Sequence, residues 1–245
     1  MLRLELKKHL QDRGLLFWMI LLPIIFTVLF ISVFTSGVDE STKQDVIVSI
    51  VPGYAVMFVF FIIISMVTSF IKDRDLGMVA RLASTPLKVK SYLLGKWMPF
   101  LIIVFIQVIV LLIFGKIVYH VPFGQPLYIV SLSFILSFMV TGLGLLVALI
   151  VKTENMGIAI TQLIALGGAF IGGLWVPLEM MPKFLQTIAK FLPQYWGHLG
   201  FREAMSGTLT LDGFIKISVI LLAFALGSFI VALLYYPKFL QKAKG

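Results

Sequence analysis

Uncharged apolar stretches long enough to cross a membrane recur along this chain, and they constrain its fold more than any other feature. The first runs for 25 residues, from Gly14 to Val38, without Asp, Glu, Lys or Arg. A bilayer core about 30 Å thick is crossed by roughly 20 helical residues. Charged residues make up only 13% of the chain, against about 25% in a soluble domain. The sequence therefore predicts an all-α integral membrane protein.

The apolar runs predict six transmembrane helices. Their expected bounds are about 15–35, 51–71, 97–119, 127–151, 156–176 and 214–236. The first run exceeds a signal-peptide core of about 7–15 residues and lacks a cleavage site after it, so we interpret it as a retained span. Before it, leucines at every fourth position predict an interfacial helix over residues 1–13, with a plain polar lead-in as the alternative.

Lys and Arg concentrate on one side of the predicted bundle. That side holds fourteen, in the N-terminus, the second-to-third loop, the fourth-to-fifth loop and the C-terminus, and the other side holds six of the chain's 20. Because cytoplasmic segments carry the excess of Lys and Arg, both termini are predicted to be cytoplasmic. The same rule accounts for the formal charge of +9, and no nucleic-acid partner is expected.

The predicted spans have no ionisable residue in mid-membrane, and the nearest polar candidates are Gln107 and Gln162. Proton coupling therefore has no visible site, although a sodium site built from backbone carbonyls would escape this test. The chain also has no cysteine, three isolated histidines and no Walker A sequence, so neither a metal site nor a nucleotide site is predicted. Energy for uphill transport would have to come from another chain.

The second-to-third loop, residues 72–96, has the pattern of a short helix set between two spans. Gly77 permits a change of direction, and the next residues predict a helix with one apolar face, formed by Met78, Val79 and Leu82. Thr85 fits an N-cap, with Pro86 at the first position of the following helix. A solvated loop resting on its own bundle is the alternative.

The outer connection, residues 177–213, contains a second amphipathic piece. Between Pro182 and Pro193 one helical face is apolar and the other carries Lys183, Gln186 and Lys190. This piece is too short to span a membrane. A plain interfacial loop would explain its amphipathicity but not the P-L-E-M-M-P sequence that precedes it.

Taken in order, these segments resemble the permease subunit of ABC-2 type ABC transporters of the bacterial drug and antibiotic exporter kind. The loop sequence G-x-x-x-R-L-x-x-T-P followed by L-L-G-K is similar to the family's intracellular loop, although Asp73 and Asp75 stand where the family usually has Glu. The P-L-E-x-x-P core is similar to its outer hairpin. The resemblance implies a single type V exporter-like domain over residues 1–245, with an interfacial helix, a cytoplasmic coupling helix and an outer re-entrant hairpin.

The resemblance also implies partners and sites. A separate soluble ATPase, in two copies, would bind ATP and Mg, and this chain would bind no cofactor and catalyse nothing itself. The implied contacts with that ATPase are Gly77, Met78, Val79, Arg81 and Leu82, with Thr85 and Pro86 fixing the helix that follows. A second permease subunit, identical or homologous, would complete a pathway along the first, second and fifth spans. Its candidate lining residues are Phe26, Phe30, Phe60, Phe61, Leu163 and Phe170.

Gly168 and Gly172 form a G-x-x-x-G in the fifth span, which permits close helix packing. Packing within the chain and a subunit seam both fit this motif, and the resemblance favours a dimer. The implied function is export of an amphipathic or hydrophobic drug, antibiotic or lipid-like cargo from a bacterial cell. The alternatives are a membrane sensor or assembly subunit that transports nothing, and an ion-coupled secondary transporter.

Overall fold

In the computed structural model, the chain forms a helical membrane bundle. The structure describes residues 6, 7, 9, 11, 12, 14, 17–37, 39–78, 89–176 and 178–244. Within these residues every regular element is a helix. Six segments are long and apolar enough to cross a membrane, and we number them spans 1 to 6: Phe17–Phe34, Lys43–Asp75, Tyr92–Tyr119, Pro126–Ile150, Glu154–Ile171 and Leu211–Gln241. The predicted all-α class and the six spans are confirmed.

Spans 3, 4 and 6 are continuous α-helices. They are α4, Val89–Tyr119, α5, Pro126–Ile150, and α10, Leu211–Lys244. Spans 2 and 5 are each interrupted by a turn that is not α-helical, and span 1 begins with such a turn. Their segments are a π-helical turn, Phe17–Leu21, and α1, Leu22–Phe34; α2, Glu40–Val59, and α3, Ile62–Asp75; and α6, Glu154–Gln162, a π-helical turn, Leu163–Gly167, and α7, Gly168–Ile171.

The central helix of the bundle is α5, which packs against α3, α4 and α10. Its buried Ser133, Ser137 and Thr141 donate to carbonyls one turn earlier at 2.6–2.7 Å. The hydroxyl groups are thus satisfied within the helix, as the lack of water in a bilayer core requires. Small side chains on this face leave room for close neighbours, and a Cβ at Gly142 would lie 2.8 Å from the ring of Phe229 in α10.

Several span boundaries differ from the predicted ones, among them the starts of spans 2 and 3 and the ends of spans 5 and 6. Span 2 begins at Lys43 because α2 extends beyond the apolar run, with Gln44 and Asp45 exposed at its end. Span 5 ends at Ile171 because the chain turns at the following glycines, where Gly173 has a φ of +76°. This positive φ favours glycine over residues with a Cβ.

The end of the bundle that contains residues 172–176 and 178–210 is called here the hairpin end, and the opposite end, with residues 72–78 and 89–96, the loop end. The predicted amphipathic piece forms α8, Lys183–Ala189, and exposes Phe184 and Ile188. The next helix, α9, Pro193–Ser206, is the second helix of the predicted hairpin, whose bounds were not predicted, and it is largely buried. The hairpin thus returns into the bundle, as the predicted re-entrant architecture requires.

Glycines let α9 approach its neighbours. A Cβ at Gly197 would lie 3.4 Å from Leu136, and one at Gly200 would lie 3.1 Å from Leu132. The loop between spans 3 and 4 also holds α9 at its C-terminal end, since Gly124 N donates to Met205 O and Gln125 N to Ala204 O, each at 3.0 Å. The hairpin is therefore an integral part of the bundle.

Candidate functional site

Six aromatic side chains form a continuous series between spans 1 and 2, which we call the aromatic ladder. Its members are Phe26, Phe30 and Phe34 of α1 and Tyr54, Phe58 and Phe61 of span 2. The α1 members recur every fourth residue and so share one helix face. Contacts cross between the spans, with ring centroids 5.0 Å apart for Phe30 and Tyr54 and 5.7 Å apart for Phe26 and Phe58. The ladder begins near the hairpin end and descends into the membrane.

A tight turn at Phe60 and Phe61 interrupts span 2 where the ladder ends. Phe60 N donates to Met57 O at 3.2 Å and Phe61 N donates to Phe58 O at 3.1 Å. Each amide thus bonds to the carbonyl three residues earlier, whereas an α-helix uses the carbonyl four residues earlier. The tighter winding changes where consecutive side chains point. Phe61 joins the ladder at 5.7 Å from Phe58, while Phe60 is 0% exposed and faces the bundle interior.

A cavity of about 480 Å³ opens beside this turn, toward the loop end. It lies where spans 1, 2 and 5 meet, and Phe58 and Phe61 belong to both the ladder and the cavity wall. The remaining lining residues are Asp12, Gly14, Trp18, Met19, Ile64, Ser65, Ile158 and Gln162. An apolar wall with a few polar groups suits a guest that is itself mostly apolar.

The predicted pathway residues fall into three groups. Phe26, Phe30 and Phe61 are brought together in the ladder. Phe60 does not line a pathway, because its side chain is completely buried within the chain, and its assignment is corrected here. Leu163 and Phe170 are 74% and 47% exposed on span 5 and are not among the described residues that line the cavity.

The two glycines of the G-x-x-x-G face α9 of the same chain. A Cβ at Gly168 would overlap the side-chain amide of Gln194, and one at Gly172 would lie 3.3 Å from the Gln194 Cβ. Gln194 Nε2 in turn donates to Ile164 O at 3.0 Å, inside the π-helical turn of span 5. Close packing within the chain is thus the alternative that the structure shows at these two glycines.

A buried charged cluster at the loop end was missed by the sequence analysis. Lys96 is 0% exposed and forms an ion pair with Asp73. Its Nζ also donates to Ser69 O at 2.9 Å, and Tyr92 Oη donates to Asp73 Oδ2 at 3.1 Å. Removing one partner of such a buried pair typically costs about 3–5 kcal/mol, because the other charge remains buried. Tyr92 and Lys96, four residues apart, share a helix face, and this was the available sequence signal.

The segment with the predicted ATPase contacts is described only at its start. Gly77 has a φ of +67°, so a residue with a Cβ would be strained there. Met78 is partly exposed. Nearby, Arg74 donates to Lys152 O at 2.9 Å and ties α3 to the turn between spans 4 and 5. Five predicted contact or capping residues lie outside the described residues: Val79, Arg81, Leu82, Thr85 and Pro86.

The chain is similar to a family of transport proteins and to individual bacterial permeases. Residues 1–206 match the ABC-2 type transporter family. The chain is 27% identical over 198 residues to the "Linearmycin resistance permease protein LnrN" of Bacillus subtilis strain 168, which covers 81% of this chain and 51% of that protein. It is also 27% identical over 213 residues to the "Putative transport permease YvfS" of the same strain, with 83% of each protein covered.

A third similarity is to the "Probable multidrug ABC transporter permease YbhR" of Escherichia coli strain K12. The identity is 25% over 126 residues, which cover 51% of this chain and 34% of that protein. The aligned part of this chain thus spans about half the length of LnrN and about a third of YbhR, and most of YvfS.

Proposed function

The chain belongs to the ABC-2 type transporter family and is a multi-pass membrane protein, and from this premise we propose that it is the permease subunit of an ATP-driven exporter. The proposed cargo is an amphipathic or hydrophobic molecule such as a drug, an antibiotic or a lipid-like compound. The chain would lie in the bacterial plasma membrane as a single domain, with both termini in the cytoplasm.

The observation that carries the proposal is the aromatic ladder leading into the cavity. Aromatic rings offer a large apolar area and edge or face contacts that do not require one fixed ligand shape. The exposed or half-buried ladder residues, Phe26, Phe30, Phe34 and Phe61, are all phenylalanines, and Tyr54 and Phe58 are buried behind them. Such a surface favours apolar cargo over sugars or ions. Two of the similar proteins have names that refer to linearmycin resistance and to multidrug transport, which supports a cargo of this kind.

The partners in this proposal are two copies of a separate ABC ATPase and a second permease subunit, identical or homologous. ATP and Mg would bind to the ATPase. We place the second permease against the exposed face of span 5 that includes Leu163, Leu166 and Phe170. The opposite face of this span, with Ala165 and Gly168, is already packed within the chain.

The proposed mechanism is mechanical transmission from the ATPase to the pathway. Closure of the ATPases on ATP would push the segment from Gly77 to Leu82 and displace the adjacent ends of spans 2 and 3. This displacement would open the pathway beside spans 1 and 2 toward the hairpin end, in the manner of rigid elements that rearrange around a few flexible residues.

Co-purification with a candidate ABC ATPase, together with ATP hydrolysis measured in lipid, tests this proposal. Arg81→Glu and Gly77→Pro should abolish binding or hydrolysis in a protein that remains folded. Lys183→Glu makes the same charge change as Arg81→Glu at an exposed site on the hairpin end, so it should leave both unchanged. Equal activity of all four proteins would show that the loop is only a connector.

A further inference from the structure

The buried cluster of Asp73, Tyr92 and Lys96 joins two successive turns of span 2 to two successive turns of span 3. On α3, Lys96 contacts both the Ser69 carbonyl and the Asp73 carboxylate, which lie one helical turn apart. On α4, Tyr92 and Lys96 also lie one turn apart, and both contact the same Asp73 oxygen. The Lys96 ammonium lies 5.2 Å from the Phe70 ring centroid. Three polar contacts and one ring thus determine the position of α3 relative to α4.

This arrangement resists sliding and rotation between the two helices. Any shift that separates Lys96 from Asp73 leaves two charges buried without their partner, which is costly in a medium with little water. A buried ion pair contributes little to stability compared with apolar side chains of similar volume. The ion pair therefore fixes the position of α3 relative to α4 more than it stabilises the fold, because apolar packing tolerates small displacements that an ion pair does not.

The cluster lies between the loop that contains the predicted ATPase contacts and the tight turn of span 2. Asp73 and Lys96 flank the segment that contains the predicted ATPase contacts, so both ends of that segment are fixed to one another. Along span 2, the tight turn at Phe60 and Phe61 separates the cluster from the ladder residues Tyr54 and Phe58. Turns of this kind in mid-helix often mark hinges.

We propose that Asp73, Tyr92 and Lys96 are positioning residues for transport, which make α3 and α4 move as one body while span 2 bends at Phe60 and Phe61. This inference rests on the proposed exporter function. A push on the loop then reaches the ladder and the cavity through the turn, and is not lost as slippage between spans 2 and 3. A cluster that only stabilised the fold would leave such movement unaffected when replaced by apolar residues of matching size.

Distances between pairs of spin labels can test this proposal, since the chain has no native cysteine. One pair, Leu76→Cys with Leu94→Cys, reports on the junction of α3 and α4 from exposed positions. A second pair, Asp45→Cys with Leu94→Cys, reports across the turn in span 2. Both pairs are measured in lipid in the native background, in Asp73→Leu/Lys96→Met, in the charge-swapped Asp73→Lys/Lys96→Asp, and in Asp75→Asn as an exposed neighbouring control.

The junction pair should give one narrow distance in the native background and in Asp75→Asn, with or without ATP and the ATPase. The apolar double variant should lose the narrow peak, and the charge-swapped variant should recover it. With the ATPase and ATP, the second pair should shift in the native background and lose this shift in the apolar double variant, although that variant still binds the ATPase. If the charge-swapped variant does not fold, the apolar double variant decides the question alone.

Two results would overturn the proposal: a junction distance that changes with ATP in the native background, or an apolar double variant that keeps both the narrow peak and the ATP-dependent shift. Failure of the exporter function itself would look different. The native chain would then neither bind the ATPase nor shift with ATP, while the junction pair measured without nucleotide would still decide whether the cluster fixes α3 to α4.

Discussion

Spans 1, 2 and 5 differ in construction from spans 3, 4 and 6, although all six are apolar enough to cross a membrane. The second group consists of continuous helices that pack around α5. The first group contains two π-helical turns and one tight turn. We call the two groups the regular half and the irregular half.

The difference indicates where movement is built into the molecule. In lipid every backbone group needs a partner within the protein, so a non-α turn requires compensation. Span 5 shows one such compensation, because Gln194 supplies the donor for Ile164 O. The ladder and the cavity lie on the irregular half, and turns of this type are frequent at functional sites. Spans 4 and 6 of the regular half are the scaffold that holds them, and span 3 moves with α3 in the mechanism proposed above.

The largest expected effect concerns the junction between the halves, where span 2 meets span 3. Lys96→Met leaves Asp73 buried without its partner, so it should lower the free energy of unfolding by about 3–5 kcal/mol. Asp73→Leu/Lys96→Met should recover most of this loss, because neither charge remains. Thermal unfolding of the purified protein in mild detergent measures both. An equal loss in the single and double variants would contradict the account of this ion pair.

A pair of adjacent glycines tests the packing of the irregular half. Gly168→Ala places a Cβ in the space of the Gln194 amide and disturbs its bond to Ile164 O. The expected loss is about 1–3 kcal/mol, as for overpacking of a tight interior. Gly167→Ala is the control, since its Cβ would lie 3.9 Å from Leu163 Cδ1, an ordinary contact. Unfolding midpoints that fall equally for both variants would show that Gln194 does not require the glycine.

The regular half offers a comparable test with a similar or smaller effect. A Cβ at Gly142 would lie 2.8 Å from the Phe229 ring, which joins spans 4 and 6. Gly142→Ala should therefore cost about 1–2 kcal/mol, at the lower part of the overpacking range. At Gly227 of α10 a Cβ would meet nothing within 4 Å in the described part of the chain, and Gly227→Ala should stabilise by about 0.4–1 kcal/mol. The same unfolding measurement checks the pair, and a stabilising Gly142→Ala would contradict the close packing of these two spans.

The smallest effect on stability should accompany a specific effect on transport. Phe61→Leu removes a ring from the ladder and the cavity wall, with a contribution of about 0.5–1.5 kcal/mol from aromatic pairing. It should lower resistance to amphipathic antibiotics, measured as growth of cells that produce the complex, by roughly two- to tenfold. Phe60→Leu is its neighbour with the ring buried inside the bundle. It should lower the amount of folded protein without changing resistance per folded molecule, and the reverse pattern would contradict the placement of the ladder.

The spans could be predicted because membrane crossing depends on the length of apolar runs, which the sequence displays directly. The sequence does not show which of the aromatic residues of span 2 faces the pathway. Phe60 and Phe61 are adjacent and chemically identical, and the tight turn that separates their environments has no proline or glycine to mark it. Prediction of a regular α-helix therefore gave no reason to place Phe60 in the interior and Phe61 in the ladder.

Contacts between residues distant in sequence were the other source of error. Both close packing and a subunit seam fit Gly168 in the sequence, and only the fold shows that Gln194 of α9 covers it. The bounds of α9 could not be predicted because glycines and polar residues interrupt its apolar pattern. Lys96 and Asp73 were assigned to a cytoplasmic loop because charged residues normally end spans. Their pairing inside the bundle depends on how α3 and α4 pack, which no local pattern encodes.

The most direct test of the division into two halves is a pair of label distances in the cysteine-free chain, measured with the ATPase before and after ATP addition. One pair joins span 4 to span 6 through the exposed Leu127 and Ile215, and the other joins span 1 to span 5 through the exposed Val33 and Asn155. We predict a shift between spans 1 and 5 and an unchanged distance between spans 4 and 6. A shift confined to spans 4 and 6, or an equal shift in both pairs, would contradict a fixed scaffold beside a moving pathway.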